Sequence, residues 1–257
     1  MSLYFVSDIH IKSNNERNAF LFMQLLRQLQ EKQKTEQVEL ILLGDIFDLW
    51  LSKHDVFIAR HEPLIQELSR TKQAGVQIHF FEGNHDVHID VFFQNQLGLN
   101  VYDKFQVFNW YGLRIRCEHG DYINPDDVVY HRYLKIIRND QIEKIGHIVP
   151  GFFWDISGRI ASRISRQSTK KKIFAKNHKM RDLVLQYSQN IFEKEPFDIL
   201  VTGHVHYRMN EVVDQKFRTI NLGSWFEEPQ VLNIHQDEQN NVETSWLKYE
   251  NGIFQAL

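Results

Sequence analysis

The stretch Leu40-Ile41-Leu42-Leu43-Gly44-Asp45-Ile46-Phe47-Asp48 decides how the rest of the chain is interpreted. Its four leading apolar residues predict a buried strand of a parallel sheet. The strand stops at Gly44 and a carboxylate follows directly. Asp45 therefore stands at the carboxyl end of a strand, the edge at which open α/β sheets hold ligands. An aspartate after a strand also forms turns and caps helices, so the stretch alone leaves both interpretations open.

Composition indicates a globular protein of ordinary type. The chain has 257 residues, of which 42% are hydrophobic and 25% are charged, enough to bury a sizeable core. The single cysteine, Cys117, excludes an intrachain disulfide framework and favours a reducing compartment. Apolar runs fall short of the roughly 18 residues of a membrane span, and the first residues lack the basic flank of a signal peptide. We therefore expect a cytoplasmic protein.

Charge is distributed unevenly along the chain. The net charge is −3, yet Val128 to Arg181 contains 13 Lys and Arg residues against three acids, which leaves −13 for the remainder. A basic module of this kind indicates an anionic partner, which could be a phosphate substrate, a membrane surface or a nucleic acid.

The pattern of the opening stretch returns at four more predicted strand ends. Each carries a histidine, a carboxylate or an asparagine directly after a short apolar run. Taken singly, each has an ordinary alternative, namely a capping aspartate or a surface imidazole. Recurrence favours a shared site instead. The five ends carry Asp8 and His10, Asp45, Asn84 followed by His85 and Asp86, His119, and His204 with His206.

Helices and strands can be placed around these ends. Apolar spacing predicts helices around Phe20–Leu29 and over Val56–Lys72. Val76–Phe81 is predicted as a strand of a second layer. Residues 122–196 lack a clear strand signal, and within them Phe152–Ile164 forms an apolar stripe. This stripe is either a helix packed on the body or a lid whose apolar face meets acyl chains or a membrane surface.

The chemistry of the set points to two metal ions. Its imidazoles, carboxylates and amide oxygen are too many for one tetrahedral zinc. They suit two adjacent ions of the Mn²⁺, Fe²⁺ or Zn²⁺ type that share one carboxylate. Two ions about 3.5–4 Å apart can clamp the attacking and leaving oxygens of an in-line displacement at phosphorus.

The motifs resemble those of the calcineurin-like metallophosphoesterase superfamily. They are Asp8-x-His10, Gly44-Asp45-x-x-Asp48, Gly83-Asn84-His85-Asp86, His119-Gly120 and Gly203-His204-x-His206. The resemblance implies one α/β domain over residues 1–257, a four-layer α/β/β/α sandwich. It also implies a bridging hydroxide as the nucleophile, with His85 stabilising or protonating the leaving side and Asp86 orienting His85. By motif position, Asp8, His10, Asp45 and His206 would hold one metal, and Asp45, Asn84, His119 and His204 the other.

The segment after His119 resembles that of the bacterial UDP-2,3-diacylglucosamine hydrolases. This resemblance implies hydrolysis of the substrate's pyrophosphate to UMP and 2,3-diacylglucosamine 1-phosphate, a step of lipid A synthesis. It also implies a helical lid insertion at about 122–196 and peripheral contact with the inner membrane surface. Those enzymes typically have Arg where this chain has His85. The substrate-binding positions implied are Asn84, His85, Asp127, Tyr130, Ser168, Lys172, Lys176 and His204.

Two alternatives remain open. One is a different phosphodiesterase of the same superfamily; a nuclease among these is less favoured, because the aromatic and apolar stripe suits a lipid-like ligand. The other is a scaffold that kept the fold and lost its metals. No ligand position is missing from the motif set, which speaks against such a scaffold.

Overall fold

The strands form two sheets of unequal size. A computed structural model of the chain describes residues 1–139, 141, 173–226 and 228–256, with the backbone alone for 173–178. The larger sheet has the order β14-β13-β12-β1-β2-β4-β6, the smaller one β10-β11-β9-β8-β7, and β3 pairs with β5. The strands are β1 (Ser2–Val6), β2 (Val38–Leu43), β3 (Trp50–Leu51), β4 (Gln77–Phe81), β5 (Asp86–Val87), β6 (Asn100–Tyr102), β7 (Gln106–Trp110), β8 (Leu113–Cys117), β9 (Ile199–Thr202), β10 (Met209–Val213), β11 (Phe217–Asn221), β12 (Gln230–Gln236), β13 (Val242–Glu250) and β14 (Ile253–Ala256).

Helices cover the outer faces of both sheets. The described helices are α1 (Arg17–Gln33), α2 (Asp55–Gln73), α3 (Val128–Ile137) and α4 (Ile173–Lys194), with a π-helical turn at Asp90–Gln94. The apolar faces of α1 and α2 pack on the larger sheet. The second half of α4 packs on the smaller sheet, where Phe192 contacts Phe197 and Phe217. None of the helices that the structure describes is long and apolar enough to cross a membrane.

The layering follows from the alternation of side chains along the central strands. Successive residues of a strand point to opposite faces. In β1, Tyr4 and Val6 therefore join the core under the helices, whereas Leu3 and Phe5 join the core between the sheets. All residues of β1 and β2 are buried, which explains their continuous apolar runs. The four-layer α/β/β/α sandwich is confirmed.

Parallel strands place the five predicted ends at one edge. β1, β2 and β4 run parallel within the larger sheet, and β8 and β9 run parallel within the smaller one. The prediction that Val76–Phe81 belongs to a second layer is wrong, because β4 pairs directly with β2 through Ile41 and His79. An apolar strand that is buried on both faces gives no signal for the sheet to which it belongs.

The helices predicted around Phe20–Leu29 and over Val56–Lys72 are confirmed as α1 and α2, with small shifts of their ends. Several short strands were not predicted, notably β10, β11 and β14. α3 and α4 lie within the predicted insertion at about 122–196, and the boundaries of that insertion stay a prediction. Ser168, Lys172 and the Phe152–Ile164 stripe lie outside the described residues, and Lys176 lies in α4.

Candidate metal centre

Unusual backbone geometry turns the strand ends inward. Left-handed φ angles occur at Asp8 (52°), His10 (52°), Asp45 (54°), His204 (68°) and His206 (56°). Such a conformation costs about 1–3 kcal/mol for a residue other than glycine and persists only where surrounding contacts enforce it. Five left-handed residues at the predicted ligand positions indicate that the surrounding contacts offset this cost and hold the side chains in fixed directions.

Gly44 is required by close packing at the same edge. Its φ is +79°, and a Cβ there would lie 2.6 Å from His119 Nδ1 and 2.7 Å from Gly83 Cα. Any side chain would push the ends of β2 and β8 apart. The glycine of the opening stretch therefore lets Asp45 approach the strand ends of both sheets.

Asp8 is held by one oxygen and presents the other to the site. Its Oδ2 accepts hydrogen bonds from Ser7 Oγ at 2.6 Å and His204 N at 2.9 Å. Oδ1 accepts no hydrogen bond of normal geometry from the described residues, although His206 Nε2 lies 3.1 Å away. His10 Nε2 lies 3.4 Å from His206 Nε2 and 3.9 Å from Asp8 Oδ1. These three side chains form one candidate ligand group.

Asp45 lies between this group and a second one. Its Oδ2 is 3.7 Å from His10 Nε2, and its Oδ1 is 3.7 Å from His119 Nε2. Oδ1 also accepts a hydrogen bond from His85 N at 2.9 Å. Each oxygen of this buried carboxylate thus faces a different group, as a ligand shared by two ions requires.

The second group surrounds His119. Its Nδ1 bonds to Leu43 O at 2.6 Å, which turns Nε2 toward Asn84 Oδ1 at 3.4 Å. The His204 ring lies with its centroid 5.2 Å from that of His119. Asp121 lies next to this second group, because one of its oxygens is within 4.8 Å of ligand nitrogens of His119 and His204.

Electrostatics keep the carboxylates charged and two imidazoles neutral. Burial lowers the pKa of His10 to about 3 and, together with the His119 charge, that of His204 to about 4. Burial also opposes charge on His119, but the carboxylates of Asp45 and Asp121 outweigh it and raise its pKa to about 9. Burial alone would raise the pKa of Asp45, yet the surrounding imidazoles hold it below its usual range.

These features fit divalent cations. Asp8 Oδ1 accepts no hydrogen bond of normal geometry from the described residues, and His206 Nε2 lies 3.1 Å from it, so both atoms are placed to bind the same ion. The buried carboxylates of Asp8 and Asp45 bring negative charge into the protein interior, which a bound cation would neutralise. The mixed oxygen and imidazole set suits Mn²⁺, Fe²⁺ or Zn²⁺. Asp8, His10, Asp45 and His206 would hold one ion, and Asp45, Asn84, His119 and His204 the other.

Comparison with known families supports this interpretation. The calcineurin-like phosphoesterase profile matches residues 1–208. The chain belongs to the calcineurin-like phosphoesterase family. All of the predicted metal-ligand positions of this phosphoesterase, from Asp8 to His206, lie within the matched residues.

Curated relatives of the phosphoesterase match it over most of its length. A UDP-2,3-diacylglucosamine hydrolase of Histophilus somni (strain 129Pt) is 27% identical over 231 residues, which cover 90% of this chain and 95% of the relative. The protein of that name from Proteus mirabilis (strain HI4320) is 28% identical and covers 93% and 97% of the two chains. Among solved structures, vacuolar protein sorting 29 of Cryptosporidium parvum matches with a TM-score of 0.49 and 12% identity, over 100% of this chain and 95% of that one.

The structure changes the interpretation of Asp86 in this phosphoesterase. Asp86 was expected to orient His85, but its two oxygens accept backbone N–H groups of Gly83, Asp45 and Ile46 at 2.7–2.9 Å. His85 Nδ1 instead bonds to the carbonyl oxygen of Asp48 at 2.8 Å. The expected orientation of His85 by Asp86 is therefore wrong. Asp86 instead ties together the loops after β2 and β4.

α3, in the segment that follows His119, reaches the second ligand group. Asp127 caps this helix by accepting a hydrogen bond from Tyr130 N at 3.0 Å. The Tyr130 hydroxyl donates to Asp121, and its ring lies 5.1 Å from the His204 ring. At the other end of α3, Arg138 Nη2 donates to Asp121 Oδ2 at 2.8 Å. The helix is therefore fastened to the site by two contacts on one carboxylate.

Three contributors at the site were missed from the sequence. Asp121 directly follows the His119-Gly120 motif, so its spacing from His119 was an available signal. Nothing in the local pattern marked Arg138. Nor did it mark Trp225, whose backbone N–H donates to Asp8 O at 3.2 Å and so supports the end of β1.

Proposed function

We propose that this chain is a two-metal pyrophosphate hydrolase that converts UDP-2,3-diacylglucosamine and water to UMP and 2,3-diacylglucosamine 1-phosphate. The observation that carries the proposal is the position of Asp45, whose two oxygens each lie 3.7 Å from an imidazole of a different ligand group. The substrate comes from the relatives, which bear that hydrolase name over about nine-tenths of this chain. The step belongs to lipid A synthesis.

Two bound divalent ions, most simply Mn²⁺, would polarise the phosphoryl oxygens and activate water at neutral pH. The chain's own task is to hold their ligands and the substrate. Asp8 and Asp45 supply the buried negative charge, and the neutral imidazoles of His10 and His204 keep nitrogen lone pairs available. The left-handed strand ends fix these groups before substrate arrives, so little reorganisation is needed during the reaction.

His85 is placed to act on the leaving group. Its Nδ1 faces the Asp48 carbonyl oxygen at 2.8 Å, an acceptor only, so Nδ1 carries a proton. Nε2 is then the nitrogen left for the site. As an imidazolium, His85 can donate a proton from Nε2 to the departing phosphate oxygen.

The insertion supplies the groups for the rest of the substrate. Tyr130 stands beside His204, and Asp127 lies one turn earlier on the same segment. We assign the remaining substrate contacts to Ser168, Lys172 and Lys176, whose segment carries much of the positive charge of the chain. That charge suits a diphosphate at an anionic membrane surface, and we place the protein in the cytoplasm with peripheral contact to the inner membrane.

The deciding experiment measures UMP release from UDP-2,3-diacylglucosamine by purified protein in Mn²⁺, beside hydrolysis of a generic phosphodiester. We expect UMP release in Mn²⁺ and none in EDTA. Asp45→Ala should abolish both activities because both ions lose a ligand. Asp103→Ala, which removes an exposed carboxylate, is the matched control and should behave as wild type.

Each contrary outcome has a distinct meaning. Full activity of Asp45→Ala in Mn²⁺ would refute the two-metal site. Hydrolysis of the generic diester without UMP release would refute the substrate. That second outcome would favour another nucleotide-lipid or phosphodiester, an alternative raised by the histidine at position 85.

A further inference from the structure

The imidazole of His10 lacks the polar support that its neighbours have. His119 is oriented by a bond from Nδ1 to Leu43 O at 2.6 Å, and His85 by one to Asp48 O at 2.8 Å. His10 Nδ1 is buried and finds no hydrogen-bond partner among the described residues. Metal-ligating histidines almost always hold their second ring nitrogen in a hydrogen bond, which fixes the direction of the ring. Something else must orient His10.

Phe226 packs flat against the His10 ring. The two ring centroids lie 4.9 Å apart, with 12° between the planes. His85 contacts the His10 ring edge-on, with centroids 4.8 Å apart. Contacts of both kinds restrict rotation of an aromatic ring. The His10 ring is thus held by packing, with Nε2 facing Asp8 and Asp45.

Phe226 also separates this imidazole from solvent. Phe226 is 46% exposed, whereas His10 beneath it is 5% exposed. The loop that carries Phe226 is fastened to the site: Phe226 N donates to Ser224 Oγ at 3.1 Å, and Trp225 N donates to Asp8 O at 3.2 Å. These two hydrogen bonds therefore hold the Phe226 loop against the end of β1, which also carries Asp8 and His10.

We propose that Phe226 is a positioning residue for the first ion, doing for His10 by stacking what the Leu43 carbonyl does for His119 by hydrogen bonding. The inference rests on the proposed two-metal site and deepens it. Loss of the ring frees the imidazole to rotate and admits water beside Nε2. Changes in the groups that support metal ligands typically weaken binding by 10- to 100-fold. We expect the first site to weaken about 10-fold and the second to keep its affinity.

The test is a titration of the metal-free full-length chain with Mn²⁺, in which electron paramagnetic resonance counts the free ion. Phe226→Ala should show one weakened and one unchanged binding step. Phe226→Tyr retains the flat ring and should bind both ions as wild type. Phe226→Leu keeps an apolar cover without a planar face and should lie between the two. Phe20→Ala removes a ring that is 48% exposed on α1 and is the matched control, expected to bind as wild type.

The results separate this inference from the function on which it rests. Two unchanged steps in Phe226→Ala, or equal weakening of Tyr and Ala variants, would overturn the positioning role and leave the two-metal site intact. A wild-type chain that binds fewer than two Mn²⁺ ions would refute both. If Phe226→Ala lowers the unfolding temperature well below that of Phe20→Ala, the Phe226→Leu and Phe226→Tyr variants are compared instead. Equal Mn²⁺ affinities of the first site in these two variants would refute the role of the stacked ring.

Discussion

Replacing Asp86 by asparagine tests whether a buried carboxylate holds two loops of the site together. Asp86 is fully buried. Its Oδ1 accepts the backbone N–H groups of Asp45 and Gly83, both at 2.9 Å, and its Oδ2 accepts those of Ile46 at 2.7 Å and Phe47 at 3.3 Å. Asparagine has nearly the same shape but replaces one oxygen by an NH₂ group. Whichever way the amide turns, two backbone donors then face a donor.

The expected loss of stability in Asp86→Asn follows from the two backbone N–H groups that lose their acceptor. A buried group left without its partner costs about 1–3 kcal/mol, so two of them should lower the free energy of unfolding by about 2–6 kcal/mol. Burial, with the Asp45 charge, raises the pKa of Asp86 to about 7. Urea unfolding should therefore be measured at pH 8.5, where the wild-type carboxyl is ionised and accepts all the donors.

Urea unfolding of a second variant, Asp103→Asn, is the control for Asp86→Asn. Asp103→Asn changes an exposed carboxylate and should alter the free energy of unfolding by less than about 0.5 kcal/mol. The difference between Asp86→Asn and wild type should widen as the pH falls from 8.5 through 7, because the raised pKa of Asp86 means that folded wild type binds a proton more tightly than the unfolded chain does, and asparagine cannot gain this stability. Stability of Asp86→Asn equal to that of Asp103→Asn at pH 8.5 would show that the carboxylate does not hold the loops.

Two further predictions concern groups beside the same loops. Burial raises the pKa of Glu82 to about 7; since the folded state then binds the proton more tightly than the unfolded state, the free energy of unfolding should fall by up to about 3 kcal/mol as pH rises from 4.5 through 7. Glu82→Gln should remove that part of the pH dependence in urea titrations, and an unchanged pH profile would contradict it. His85→Ala should lower kcat about 100-fold while two Mn²⁺ ions per chain remain bound, as judged by metal analysis. Loss of an ion would instead make His85 a ligand, as its place beside His10 and Asp45 also permits.

Local patterns were enough to locate the candidate ligands along the chain. An apolar run followed by glycine and a carboxylate is a short-range signal, because strand formation and its termination depend on neighbouring residues. Parallel strands then bring such ends to one edge, so the five predicted ends were expected to converge. The helical layer on the larger sheet also followed, since α1 and α2 show helical spacing of their apolar residues.

Contacts between distant segments were decided by tertiary structure alone. The bond from His204 N to Asp8 Oδ2 joins residues 196 apart in the chain, and only the facing of two sheets brings them together. The role of Asp86 was misjudged for the same reason, because adjacency to His85 in sequence says nothing about which backbone amides a carboxylate meets. Phe226 over His10 and Arg138 on Asp121 are likewise packing contacts without a sequence pattern.

The sequence by itself determined which side chains lie at the ends of strands, because that depends on local apolar periodicity and on the residues that stop a strand. The tertiary structure decided which of them share a site and which atoms they present. Asp45 lies between two imidazole groups because the loops after β2, β4 and β8 pack within hydrogen-bonding distance, an arrangement that requires Gly44 and the buried carboxylate of Asp86.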